Sequence, residues 1–420
     1  MSFWFLLAVS GASAAQTDPV PTHCATQVLA GLGWRFLAST GDTFTVAAGT
    51  PCQRASLAEA HAAGDLVVHM PAAATTSPQF QGGLTALLQH PATVCAYAFD
   101  LGDATRRAVD RLVANPGFRF SALQLGWIGF GAGGAARDGW ERIYSFGRGY
   151  RPIGRNSAAI AGFYRGHVRA ECGVGRQIAQ YATQAELYGP AAFDAEFDAD
   201  EIVIGTFNKL RRTRSILIGS QAGAMTADGR ARKTAAQGRQ AFAGLPGFIY
   251  HVFDRSTLDD INNQAENFVV YDVSAAAADA LRTHDGFEYY NERSRELWAL
   301  ARTLAMDGHR VHEKLLYERD PALRRSLSPA AQATVARLDT LLADPFFREF
   351  RIYVHRQGIR PVGFHIVRLL DRNPRTPFRI ELALHNLHTT LFERYLAHRL
   401  AECERGTATT TAPDAIRLRP

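Results

Sequence analysis

Glu171-Cys172-Gly173-Val174-Gly175-Arg176-Gln177-Ile178 is the stretch on which the reading of this chain turns. Val174, Ile178, Tyr181 and Ala185 follow one another at steps of four, three and four, drawing one apolar stripe with a 3.6-residue period. The spacing predicts an amphipathic helix with Cys172 at its N-terminal end. Unpaired backbone N–H groups and the positive end of the helix dipole favour an anion there, so a thiolate is stabilised and the cysteine pKa falls. That is the first requirement of a cysteine nucleophile. The plainer reading, a small buried hydrophobe packed beside Gly173, stands until a partner for the thiol is found.

Partners are offered further on. Phe248 to Phe253, in Gly247-Phe-Ile-Tyr-His-Val-Phe-Asp254, is aromatic and β-branched, and Phe268 to Tyr271, in Asn267-Phe-Val-Val-Tyr-Asp-Val-Ser274, has the same character. Both predict strands. One carries His251 and the other ends at Asp272. An imidazole beside a thiol takes its proton, and a carboxylate on the other ring nitrogen fixes the tautomer, so Cys172, His251 and Asp272 are the expected catalytic set. Asp272 is preferred over Asp254, which lies three residues beyond His251 in the same strand and points to the opposite face. Asp259 and Asp260 read as caps of a short helix around Leu258 to Gln264.

This order resembles the Cys…His-x-Trp-Asn…Asp-Pro-Thr pattern of the transglutaminase-like branch of the papain-type fold, over roughly residues 160 to 275. The chain departs from it with Phe253 for Trp, Asp254 for Asn and Val273-Ser274 for Pro-Thr, and no Trp adjoins Cys172. The resemblance implies an α+β fold, a papain/transglutaminase-like core in which the cysteine helix packs on an antiparallel sheet, with further α+β regions on both sides. It also implies acyl transfer through a Cys172 thioester on a protein or peptide carboxamide, resolved by an amine (crosslinking) or by water (deamidation or proteolysis). No cofactor or metal is called for. The oxyanion hole is expected to use the Cys172 backbone N–H and one upstream side chain among Asn156, Tyr164 and His167, with Gln177 a weaker choice.

The rest of the chain fills in around that core. With 420 residues, 47% hydrophobic and 20% charged, it has the make-up of a globular protein long enough for two domains. Residues 1 to 15 hold an apolar run and then small residues in an Ala-Ser-Ala pattern, which reads as a secretory signal although no Lys or Arg precedes the run. The expected organisation is a signal at 1–15, an N-terminal α/β region at 16–150, the catalytic core at 151–275, a C-terminal α+β region at 276–405 and a polar tail at 406–420. No later run reaches the length of a spanning helix. A secreted or periplasmic protein follows, without an integral membrane segment once the signal is removed.

Five cysteines suit an oxidising compartment: Cys24, Cys52 and Cys95 can supply one disulfide, Cys403 is a further candidate, and Cys172 is the thiol expected to stay free. No Cys-x-x-Cys supports a zinc ribbon or thioredoxin-type chemistry. The formal charge of +6 has its densest cluster at Lys209 and Arg211-Arg212-Thr213-Arg214, read as a solvated face, and with no basic stretch interleaved with aromatics a nucleic-acid partner is set aside.

Ser121 to Gly134 is glycine-rich but lacks a phosphate-loop ending. It reads as a loop flanking the cleft. Gly219 to Gly244 has no period and is a candidate lid. Helices are expected at 56–63, 84–89, 104–114, 275–282, 289–305, 329–342 and 386–401. Strands are expected at 66–69, 93–99, 201–207, 215–218, 350–355, 362–370 and 378–383. His355, His365, His385, His388 and His398 raise a metal site, but without His-Glu-x-x-His or a spaced acidic ligand they read as core or surface histidines. A non-catalytic binding protein with a structural Cys172 is the competing reading.

Overall fold

The computed structural model describes residues 24–32, 34–39, 43–47, 66–68, 78–120, 139–143, 149–205, 213–217, 231, 234–235, 238–251, 265–311, 313–317, 319–355, 357–372, 377–382 and 386–410. The expected signal at 1–15, the glycine-rich 121–134, the helices at 56–63 and 258–264, Lys209 to Arg212 and His385 lie outside them. So do the His388 side chain and most of the candidate lid. Of that lid, Ala231, Ala235 and Phe242 are buried core residues.

The chain divides into two units: residues 1–50, 63–93 and 400–420, and residues 51–62 and 94–399. In the first, α1 (Cys24–Gly31) and α2 (Pro78–Gln89) accompany an antiparallel three-stranded sheet of β1 (Arg35–Ser39), β2 (Thr43–Ala47) and β3 (Leu66–Val68). A disulfide joins Cys24 to Cys403, and among the described residues Cys172 is the free cysteine.

The second unit begins in α3 (Pro91–Ala114), where the sequence pattern at 93–99 predicts a strand. Helix forms because Tyr97, Leu101, Ala104, Ala108 and Leu112, all buried, continue one 3.6-period stripe through the run. Then follow β4 (Phe118–Phe120), β5 (Trp140–Arg142), β6 (Gly149–Pro152), α4 (Asn156–Ala161), β7 (Val168–Ala170), α5 (Cys172–Tyr188), α6 (Pro190–Glu196) and β8 (Ile204–Gly205). β4 pairs with β7, and β5, β6 and β8 make a small antiparallel sheet. Of the strand expected at 201–207, Ile204–Gly205 is strand and 201–203 is not, 206–207 lying outside the described residues, and Thr213 to Leu217 is not a strand.

The largest sheet has the order β12-β11-β10-β9-β13. It comprises β9 (Pro246–His251), β10 (Ala265–Val273), β11 (Phe350–Val354), β12 (Gly358–Pro361) and β13 (Phe378–Leu382), every neighbouring pair antiparallel. Between β10 and β11 come α7 (Ala275–Thr283), α8 (Glu288–Met306), α9 (Glu313–Leu316), α10 (Pro321–Ser326), α11 (Pro329–Leu341) and α12 (Pro345–Glu349). α13 (Val362–Arg372) precedes β13 and α14 (Asn386–Thr410) follows it. One sheet thus joins residues on both sides of the boundary expected at 275, and α14 carries helix past residue 406. The segment 362–370, expected as a strand, is helical: Val362, Ile366, Leu369 and Leu370 share one buried face.

Alternation along the strands sorts residues onto two faces. Ile249, Phe268, Val270, Ile352, Val354, Phe378 and Ile380 pack into one core with α7, α8, α11, α12 and α13. Val269 and Tyr353 point the other way, into a second core with Val174, Ile178 and Tyr181 of α5. The fold is therefore α+β, with the cysteine helix lying on an antiparallel sheet. Edge strand β13 is covered by α8, whose Asn291 side chain donates to the Ile380 carbonyl at 3.2 Å and accepts from its N–H at 2.8 Å.

α5 comes close to the sheet end because position 175 has no side chain: a Cβ there would meet His355 Cβ at 2.4 Å. Gly→Ala inside a helix ordinarily stabilises by about 1 kcal/mol. Gly175→Ala is expected to reverse that sign and destabilise by about 2 kcal/mol, the cost of overpacking. The denaturation midpoint of the variant against wild type measures it, and an unchanged or raised midpoint contradicts the close approach.

Candidate functional site

Residue-level register builds the site. Asn267 of β10 pairs with Phe248 of β9, and Phe248 pairs with Glu381 of β13. The pairing of Val269 with Tyr353, continued two residues, brings His355 opposite Asn267. His355, Asn267, Phe248 and Glu381 so form one row across the face that carries α5. The first turns of the helix stand over that row. Asn267 Nδ2 donates to Cys172 Sγ at 3.2 Å, Gly175 meets His355, and the Arg176 guanidinium lies 4.4 Å above the Phe248 ring. Tyr250, next along the same face, donates to Glu381 Oε1 at 2.9 Å.

The helix N-terminus is not open for a thiolate. Glu171 is the N-cap of α5, and its carboxylate accepts from the backbone N–H groups of Gly173 and Val174, each at 2.7 Å. The anion that the dipole favours is thus Glu171 itself. The Cys172 thiol donates to the same carboxylate at 3.5 Å. Burial first, and the Glu171 charge second, push the Cys172 pKa up to about 11, while the Asn267 side-chain and backbone hydrogen bonds work the other way. The lowered pKa expected of a cysteine at a helix start is corrected here: the resting thiol is neutral.

Arg176, one turn beyond Cys172, is 5% exposed, and its Nε and Nη1 are buried with no hydrogen-bond partner. Burial lowers its pKa to about 10, opposed by the neighbouring Cys172 and Glu171. His355 is likewise pressed against protein, its ring edge-on to Phe118 at 4.2 Å, and burial lowers its pKa to about 4 so that it stays neutral.

The expected trio of Cys172, His251 and Asp272 is not brought together. His251 is the last residue of β9, buried, and pairs with Phe378. Alternation from Ile249 puts it on the face turned away from α5. That face also carries Glu266, whose carboxylate is held by His365 Nδ1 at 2.6 Å and by Arg368. Asp272 lies five residues along β10 from Asn267, roughly 16 Å of strand. The register also shifts between Val270 and Asp272, and the Asp272 carboxylate faces Arg106 at 3.8 Å.

Two of the three upstream oxyanion candidates are engaged elsewhere. Asn156 Nδ2 donates to the Phe197 carbonyl, Tyr164 donates to Glu186 at 3.1 Å, and His167 is exposed. Gln177 clamps the Gly205 backbone, donating at 2.9 Å and accepting at 3.0 Å. The side-chain donor at the thiol is Asn267, downstream in sequence. The signal for it was its place at the start of an alternating strand, where every second residue from Asn267 through Val269 shares the face beneath α5. Among the described residues no group of three or more His, Cys, Asp or Glu is arranged to hold a metal ion.

Removing the Glu171 charge should make the thiol more acidic. In Glu171→Gln the midpoint of Cys172 alkylation against pH, mapped by mass spectrometry, is expected to fall below the wild-type value near 11. Labelling at any pH below that midpoint should then be faster than in wild type. A midpoint that stays or rises contradicts the role given to Glu171.

The chain matches no known protein-family model, no curated protein and no solved structure, so the site is read from its own geometry.

Proposed function

We propose that the chain is an exported thiol enzyme performing acyl transfer on a protein or peptide carboxamide, with Cys172 as nucleophile. The observation that carries this reading is the hydrogen bond from Asn267 Nδ2 to Cys172 Sγ, because a donor aimed at sulfur stabilises the thiolate in preference to the thiol. A cysteine-bearing helix end packed on an antiparallel sheet also supports the resemblance to the transglutaminase-like, papain-type arrangement. The Cys24–Cys403 disulfide supports an oxidising compartment. No described helix is long and apolar enough to cross a membrane.

In this reading Glu171 accepts the thiol proton and Cys172 Sγ forms a bond to the carboxamide carbon. The C–N bond breaks, and the proton leaves on the departing nitrogen, as ammonia from a side-chain carboxamide or as the new amino terminus from a peptide bond. The resulting thioester is resolved by an amine, giving a crosslink, or by water, giving deamidation or peptide cleavage. Asn267 holds the charge at sulfur during attack, and Arg176 adds a fixed positive charge one turn away. His251 and Asp272 take no part. With a resting thiol near 11, proton transfer to Glu171 is uphill, so it accompanies the attack on the carbonyl, where the charge on sulfur passes to the substrate oxygen.

A second reading is favoured by one observation: Glu171 fills the helix N-terminus and keeps the thiol protonated. On that reading the protein is a binding module and Cys172 is structural.

Ammonia release from glutamine-containing peptides, with and without a primary amine, separates the two. The enzyme reading expects release, with a hydroxylamine-sensitive acyl adduct on Cys172, loss of both in Cys172→Ala and a fall of about a hundredfold in Asn267→Ala. His251→Gln and Asp272→Asn, if folded, should keep wild-type rates. Release that survives Cys172→Ala, or no release and no adduct with any carboxamide, overturns the enzyme reading.

A further inference from the structure

The buried polar groups of α5 form a pattern that the thiol chemistry leaves unused. Cys172, Arg176, Gln180 and Gln184 recur every four residues, one row winding along the helix. All three that follow Cys172 are buried. Arg176 Nε and Nη1, Gln180 Nε2 and Oε1, and Gln184 Oε1 have no hydrogen-bond partner among the described residues. Neighbouring polar side chains of the same helix are satisfied: Gln177 by Gly205, Tyr181 by the Val203 carbonyl at 2.7 Å, and Thr183 by the Ala179 carbonyl at 2.8 Å. Within α5 the deficit falls on the row that starts at the thiol, which Tyr188, its hydroxyl also unpartnered among the described residues, continues.

An uncompensated guanidinium is among the costliest groups to bury. No carboxylate is bonded to Arg176 among the described residues; its near neighbours are the Phe248 ring, Cys172 and Glu171, and the Glu171 oxygens are committed to Gly173 and Val174. The contact of Arg176 Cζ with the Phe248 ring face at 4.4 Å uses none of its N–H groups. A buried guanidinium with unused donors fits a carboxylate, which accepts a charge-assisted N–H bond. Beyond it, Gln180 offers one donor and one acceptor, the complement of an amide group.

We propose that Arg176 is the carboxylate-binding residue of the Cys172 site, and that the substrate is an amide-bearing acyl compound carrying a carboxylate about one helical turn, roughly 5 Å, from the carbonyl that Cys172 attacks. The proposal rests on Cys172 being the reacting thiol. A peptide terminus and an acidic side chain present the same chemistry to Arg176, and both place amides within reach of Gln180.

The test compares iodoacetate with iodoacetamide as alkylating probes of Cys172 in the full chain. In each the thiolate displaces iodide, and the reagents differ in carrying a carboxylate or an amide. The ratio of the iodoacetate rate to the iodoacetamide rate is expected to exceed that of N-acetylcysteine by about tenfold, the weight of one charge-assisted hydrogen bond. It should return to the N-acetylcysteine value in Arg176→Met, with Arg176→Lys in between. Met matches the shape of the buried stem without the charge, so this variant is expected to fold, and its circular dichroism checks that. A wild-type ratio equal to that of N-acetylcysteine overturns the proposal and leaves Arg176 as a group satisfied by buried water.

If neither reagent reaches Cys172, the thiol-enzyme reading fails by itself. The anion site is then read from thermal shifts with acetate and succinate: a rise in Tm lost in Arg176→Met supports it, and no rise overturns it. Protection of Cys172 against iodoacetamide tells the two sources apart. Acetyl-Gln-Gly as the free acid protects if a chain terminus is bound, acetyl-Gln-Glu-amide protects if an acidic side chain is bound, and protection by neither overturns the substrate assignment.

Discussion

The close approach of α5 to the sheet at Gly175 is the constraint from which the site follows. His355 Cβ occupies the place a side chain at 175 would take, so helix and sheet touch without an intervening layer. At that separation Asn267, a short side chain on β10, reaches the thiol at the helix start, and the Arg176 guanidinium lies over the Phe248 ring. Burial at that contact raises the thiol pKa, lowers that of Arg176 and keeps His355 neutral.

Two kinds of polar group lie buried around this sheet and they are treated differently. On the face with α13, Glu266 is ion-paired with His365 and Arg368, while His365 Nε2 and Asp371 Oδ2 find no hydrogen-bond partner among the described residues. On the face with α5, Arg176, Gln180 and Gln184 keep unused hydrogen-bonding capacity in line with Cys172. The difference between the faces is the charge pairing: the buried carboxylate on one side has its cations, and the buried guanidinium on the other has no bonded carboxylate among the described residues.

Much of the architecture could be read from the chain. The apolar stripe from Val174 to Ala185 gave α5 and its start, and the aromatic and β-branched runs gave β9, β10, β11 and β13. Short apolar runs at 93–99 and 362–370 misled, since a few consecutive apolar residues fit a strand or a buried helix equally until the longer period is counted. The site was harder. Cys172 could be found from its place at a helix start, but the effect of Glu171 was missed because an acidic residue just ahead of a helix is also the residue that caps it. His251 and Asp272 were chosen for chemistry and order. Which face each side chain takes depends on strand register, and the shift between Val270 and Asp272 and the pairing of His251 with Phe378 are tertiary facts that local sequence does not carry.

The central claim is that the Cys172 thiol is governed by Asn267 and Glu171, and not by a histidine and aspartate pair. The pH dependence of Cys172 alkylation, followed by peptide mapping in wild type, Asn267→Val, His251→Gln and Asp272→Asn, tests it most directly. The account predicts a midpoint that rises in Asn267→Val, where the thiolate loses its donor, and that stays at the wild-type value in the other two. A midpoint that moves in His251→Gln or Asp272→Asn while Asn267→Val leaves it in place would contradict it.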